Sequence, residues 1–113
     1  MPLKLKVLDD RFTIALTEEA PAEADRWATI HDHDGWTVIE SSPIGEWRAI
    51  QIDQEFGLDE IGILLQLLQP LAAAQIPIMA YSTYKTDYVF INSKHLPNAA
   101  QALQEAGHEV TQA

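Results

Sequence analysis

The stretch IPIMAYSTYKTDYVFINS, residues 76–93, carries two short runs rich in β-branched and aromatic residues around a polar centre. With so few residues between them, the runs 76–82 and 87–93 can only be an antiparallel strand pair. Two-residue hairpin turns usually draw on Asn-Gly or Asp-Gly, which accept positive φ values. Neither Gly nor Pro is present between residues 81 and 90. The polar string Ser82, Thr83, Tyr84, Thr86 and Asp87 therefore asks for a reason other than turn economy.

Outward from this pair, the flanking segments read as helices. In DEIGILLQLLQPLAAAQ, residues 59–75, Ile61, Leu64, Leu65, Leu68 and Ala72 recur at helical spacing. Asp59 suits the N-cap and Glu60 the first turn. Pro70 removes one helical hydrogen bond, so the spacing predicts a kink there and not a stop. On the other side a second helix runs from Leu96 to about Ala106, with Leu96, Ala99, Ala100 and Leu103 on one face and Gly107 as its cap. Val110 then allows a short last strand. Upstream, WRAIQI (47–52) alternates as a strand covered on at least one face. From Trp47 onward the order is β-α-β-β-α-β, the split βαβ or ferredoxin-like arrangement of an α+β fold.

The first half reads as strands at about 3–8, 11–17 and 35–41, with a short helix at 22–29, and resembles a cut-down copy of the second. SSPIGE, residues 41–46, has the Ser, Pro and Gly of a connection. The expected division is thus a smaller β-rich lobe at 1–46 and a ferredoxin-like unit at 47–113. No direct repeat at a fixed period is present.

At 113 residues the chain is sized for one core, or for two small lobes sharing one. Seven Lys plus Arg against seventeen Asp plus Glu give a net charge of −10, which repels phosphate backbones and excludes nucleic acid as an expected partner. No apolar run approaches the roughly 18 residues of a membrane span. The start MPLKLKVLDD alternates as a strand does and lacks the continuous apolar centre of a signal peptide, so cytoplasmic residence is expected. Zero cysteines exclude disulfides, thiolate metal sites and cysteine nucleophiles.

Other constellations are weaker. HDHD, residues 31–34, offers two imidazoles without an evident third ligand and reads as a solvated loop before Gly35, so no metal is expected. His95 and His108 flank the second helix as surface residues, His108 matching the helix dipole. No phosphate-binding loop, nucleophile elbow or H-E-x-x-H motif is present, and the scattered carboxylates define no acid and base pair.

The last sixty or so residues, from GILLQLLQPLAAAQIPIMAYSTYKTDYVFINS through LQEAGHEV, resemble the ACT domains. Within that family the resemblance is to small bacterial ACT-like proteins with a Pro-containing first helix and a closing AL-x-EAG helix. Its most specific part is S-T-Y-x-T-D-Y at Ser82 to Tyr88. The resemblance implies sensing or regulation, not catalysis, with no cofactor, and implies that the first half is a degenerate ACT-like lobe. It also implies a ligand site for an amino acid or similar small zwitterion. In the ACT pattern the loop entering the first helix, here Glu60, Ile61 and Gly62, faces the strand residues Ser82, Thr83, Tyr84, Thr86 and Asp87. Backbone N–H groups near Gly62 would take the carboxylate, and Asp87 or Glu60 the ammonium. The alternative is that Ser82, Thr86 and Asp87 satisfy local groups and the chain is an interaction module. A homodimer is expected in either case. The core is expected to hold Ile50, Ile52, Leu64, Leu68, Leu71, Ile78, Val89, Ile91 and Leu103.

Overall fold

The computed structural model describes residues 2–22, 26–54 and 61–112. Along the chain run β1 (Lys4–Val7), β2 (Phe12–Thr17), β3 (Arg26–Asp32), β4 (Gly35–Ser41), β5 (Trp47–Ile52), α1 (Ile63–Ala73), β6 (Met79–Ser82), β7 (Asp87–Asn92), α2 (Leu96–Glu105) and β8 (Glu109–Gln112). The second half thus has the expected βαββαβ order in an α+β fold. The antiparallel pair β6–β7 is in place, with Ala80 opposite Val89 and Ser82 opposite Asp87.

All eight strands join one sheet, and β5 organises it. One edge of β5 pairs with β7, Ile50 facing Val89. Its other edge takes β1, with Leu5 opposite Ile52, and further along the first residue of β2, Phe12 opposite Trp47. Beyond β1 lies β8, parallel to it, with Leu5 beside Val110. The last strand of the βαββαβ unit therefore sits against a strand from residues 1–46. Beyond β2 come β4 and then β3.

Because successive strand residues face opposite sides, β5 and β7 feed two cores. Ile50, Ile52, Val89 and Ile91 join Leu3, Leu5 and Val7 beneath Leu67 and Leu71 of α1 and Ala99 and Leu103 of α2. On the other face Ala49 and Phe90 meet Phe12 and Ile39, with Trp27, Trp47, Met79, Tyr81 and Tyr88 packed around them. Trp27 of β3 reaches edge-on to Tyr88 and Phe90, at centroid distances of 4.9 and 5.2 Å. The outer strands therefore fold back over the face that the helices leave open. Each expected core residue lies in or against the helix-side core, with Leu64, Leu68 and Ile78 partly buried.

Four local expectations need correction. The segment at 22–29 is not a helix where it is described: Arg26–Asp32 is β3, because Trp27 gains an aromatic cluster and the backbone an antiparallel ladder with β4 that is regular from Ala28 to Asp32 and irregular at Trp27. The turn into β4 needs Gly35, whose φ is 128° and where a Cβ would come within 2.4 Å of the Thr17 carbonyl oxygen. Helix α1 begins at Ile63 with Gly62 as its N-cap, in the left-handed region at φ 81°. Asp59 and Glu60 lie outside the described residues. The buried stripe of α1 is Leu67 and Leu71 supported by Ile63, Leu64 and Leu68, so Ile61 (92% exposed) and Leu65 (61% exposed) face away. The helix does not stop at Pro70 but continues through it to Ala73. The fourth correction, at His108, belongs to the site.

Candidate functional site

The connection between β6 and β7 is built by side chains in place of glycine. The Thr83 amide donates to the Thr86 carbonyl oxygen (2.8 Å), and the Thr83 hydroxyl donates to the same oxygen (3.0 Å). The Thr86 amide returns a bond to Thr83 Oγ1 at 3.3 Å. Across the mouth of the loop the Ser82 hydroxyl donates to Asp87 Oδ1. Ser and Thr oxygens here add to the one backbone bond that closes the loop, where a primed turn would rely on the backbone alone. Tyr84, at the tip, is 79% exposed and touches neither core, whereas Tyr88 packs on Trp27. Burial on the strand pushes the Tyr81 hydroxyl above its usual range.

Thr86 also looks the other way. Its hydroxyl donates to the carbonyl oxygen of Ile52, the last residue of β5, at 2.5 Å. This bond ties the polar loop to the strand from which the chain leaves for α1. Gln51, Ile52, Asp53, Gln54, Lys85 and Thr86 line an open depression of about 310 Å³ at that junction. Gln54 holds its rim in place by accepting from the Lys4 amide at 3.0 Å. Residues 51–54 are not among the expected site residues, although the end of a central strand, Gln51 and Ile52, and the two residues that follow it, Asp53 and Gln54, are a signal in their favour.

Of the remaining expected site residues, Glu60 lies outside the described residues. Ile61 and Gly62 are exposed at the start of α1, which has no side-chain cap and no acidic residue in its first turn. A Cβ at Gly62 would meet nothing within 4 Å. Gly62 is thus required by its backbone angle and not by crowding. The structure brings Ser82, Thr83, Thr86 and Asp87 into one hydrogen-bonded loop and sets Tyr84 outside it.

The histidines separate. His31 stacks on Trp36, ring planes 2° apart at 4.1 Å, and Asp32 Oδ1 accepts from the Asp34 amide in the β3–β4 turn. Among the described residues no three of His, Asp or Glu gather as a metal would require. His108, expected at the surface, is buried at 9% exposure. The turn after α2 aims it inward, and both ring nitrogens find backbone partners, so a dipole contact at the surface is not its role.

Comparison with known proteins agrees with this architecture. The ACT domain profile matches residues 44–105. The Cytosolic arginine sensor for mTORC1 subunit 1 of Homo sapiens is 36% identical over 69 residues, 59% of this chain and 21% of that protein; the Bos taurus protein matches equally. The chain therefore spans about a fifth of the length of these curated relatives. A crystal structure of an Agrobacterium tumefaciens protein superposes with a TM-score of 0.87 at 24% identity, covering 100% of this chain and 95% of that one. A Vibrio cholerae protein of unknown function superposes at 0.78 with 16% identity, covering 90% and 87%. Among the described residues no helix is long and apolar enough to cross a membrane. The profile covers more than half of the residues and falls on the elements β5-α1-β6-β7-α2, so the chain belongs to the ACT domain family.

Proposed function

We propose that the chain is a regulatory module that binds a free amino acid, or a similar small zwitterion, at the junction of the α1 entry and the β6–β7 loop. The observation that carries this reading is the bond from Thr86 to the Ile52 carbonyl oxygen, which joins the polar loop to the strand leading into the open start of α1. In this reading the ligand carboxylate meets backbone N–H groups after Gly62, where the helix dipole favours negative charge. The ammonium pairs with Asp87, whose Oδ1 is held toward the loop by Ser82. Ile61, Gly62, Ser82, Thr83, Tyr84 and Thr86 form the surround, with Glu60 as a second carboxylate. No catalytic role enters the reading. The named relative senses arginine, and the net charge of −10 also favours a cationic side chain on the ligand. Two copies pair as a homodimer, and the cell compartment is the cytoplasm.

One observation favours a second reading. Thr83, Thr86, Ser82 and Asp87 already satisfy one another. A chain whose loop is only self-supporting would be an interaction module that dimerises through its ACT-like face without a ligand.

A thermal-shift screen against the free amino acids, arginine included, separates the two. A binder present at about 100 times its Kd should stabilise the fold by about 2.7 kcal/mol. Asp87→Ala should then weaken binding by about 1–3 kcal/mol, the cost of removing one partner from a charge-assisted hydrogen bond. Calorimetry showing a ligand indifferent to both Asp87→Ala and Gly62→Val would move the site elsewhere. A dimer that no amino acid stabilises would favour the second reading.

A further inference from the structure

Three elements meet at the His108 ring. The amide of Leu3, just ahead of β1, donates to Nδ1 at 3.0 Å. Nε2 lies 3.0 Å from the carbonyl oxygen of Gln66 in α1. A nitrogen that accepts from an N–H carries no proton of its own, so the ring proton is on Nε2 and is donated to Gln66. The ring sits where it does because α2 ends in a turn with Gly107 at φ 95°, its amide bonded to Gln104 and that of His108 to Leu103.

Pro70 explains why Gln66 has an oxygen to offer. Inside α1 the Gln66 carbonyl would ordinarily accept from the amide of residue 70, and proline has none. The carbonyl left without its helical partner is the one that the imidazole takes. Pro2, Gln66, Gln69, Pro70, Ala73 and Gly107 line an open cavity of about 480 Å³ against the ring.

We infer that His108 is a proton-operated latch, holding the start of β1 to α1 through the Nε2–H tautomer and releasing Leu3 when Nδ1 takes a second proton. A doubly protonated ring has two donors and no acceptor, so it would face the Leu3 amide donor to donor. The Gln66 bond would survive. The charged residues on the elements around the ring are Lys4 and Lys6 of β1, Glu105 of α2 and Glu109 of β8, all exposed except the half-buried Lys6, and α1 contributes none. No ion pair among the described residues therefore holds a charged imidazole in place. Release matters because the Leu3 carbonyl oxygen accepts from the Glu109 amide, so the same residue also anchors β8. The latch is independent of the amino-acid reading, since it lies at the helix-side rim among other residues.

The test uses the intact chain. Nitrogen-15 spectra at neutral pH should show the Nε2–H tautomer at His108. As pH falls from roughly 8 to about 5, exchange protection of the Leu3 amide, relative to amides of β5 and β7, should drop by about tenfold. His108→Gln keeps an acceptor and a donor but cannot titrate, and its protection ratio should stay flat. An Nδ1–H tautomer, a flat ratio in the wild type, or an equal drop in His108→Gln overturns the latch. If His108→Gln does not fold, the tautomer and the wild-type ratio still decide.

Discussion

Thr86 is the residue on which the candidate site turns, because one side chain serves both the loop and the exit of β5. Its hydroxyl takes the Ile52 carbonyl oxygen while its backbone closes the loop on Thr83. Valine has nearly the same shape and no donor, so Thr86→Val should leave that carbonyl without its partner and cost about 1 kcal/mol. Urea unfolding reads this as a lower midpoint at unchanged slope; an unchanged midpoint would mean that water replaces the hydroxyl freely. Phe90 sets the opposite scale of effect. It is fully buried, with the rings of Phe12, Trp27 and Tyr81 around it at 5.1, 5.2 and 5.7 Å. Phe90→Ala should cost about 3–5 kcal/mol, a large part of the stability of a small domain. A loss below about 1 kcal/mol in the same assay would show that the aromatic face collapses around the gap.

Helix α1 ends in the same kind of turn as α2 but without the glycine. Gln75 has φ 60°, its amide bonds Ala72, and the amide of the buried Ile76 bonds Leu71. A left-handed residue with a side chain costs roughly 1–2 kcal/mol, and glycine gives back about half of that gain as unfolded-chain entropy. Gln75 is exposed, so Gln75→Gly should stabilise the chain by about 0.5–1 kcal/mol, read as a higher melting temperature. A lower melting temperature would mean that the turn relaxes out of the left-handed region. The elements most legible in the sequence were those with one clear period. Ala99 and Leu103 of α2, and Ile50 and Ile52 of β5, face the core that their spacing predicts. The start of α1 was less legible because Ile61, Leu64, Leu65 and Leu68 also form a regular helical row. Only the left-handed backbone at Gly62 shows that the helix begins later and turns Leu65 outward. β3 was hidden for a different reason. Arg26–Asp32 is stabilised by Trp27 meeting Tyr88 and Phe90 from a distant part of the chain, and local propensity carries no trace of such a contact. At the site, the polar string Ser82–Asp87 was legible as unusual, but its internal bonding depends on loop geometry that composition does not specify.

At the scale of the molecule, the insertion of β1 decides what can fold by itself. The matched family region begins at residue 44, yet β8 finds its partner in Lys4–Val7 and not in β5. Leu3, Leu5 and Val7 are fully buried beneath α1 and α2, and Phe12 closes the opposite face over Ala49 and Phe90. A fragment of residues 47–113 would therefore expose the inner edge of β5, leave β8 without a ladder, and open both cores at once. Each fully buried Leu or Val side chain contributes about 1.5–3 kcal/mol of transfer free energy, so losing three of them removes about as much stability as a small domain has. The fragment should lack dispersed amide signals in a two-dimensional NMR spectrum. Adding residues 1–46 as a separate chain should restore the dispersion, because the missing strand can pair in trans along the same edges of β5 and β8. A fragment that folds unaided, with protected amides in β8, would show that the family unit closes on itself once β1 is gone.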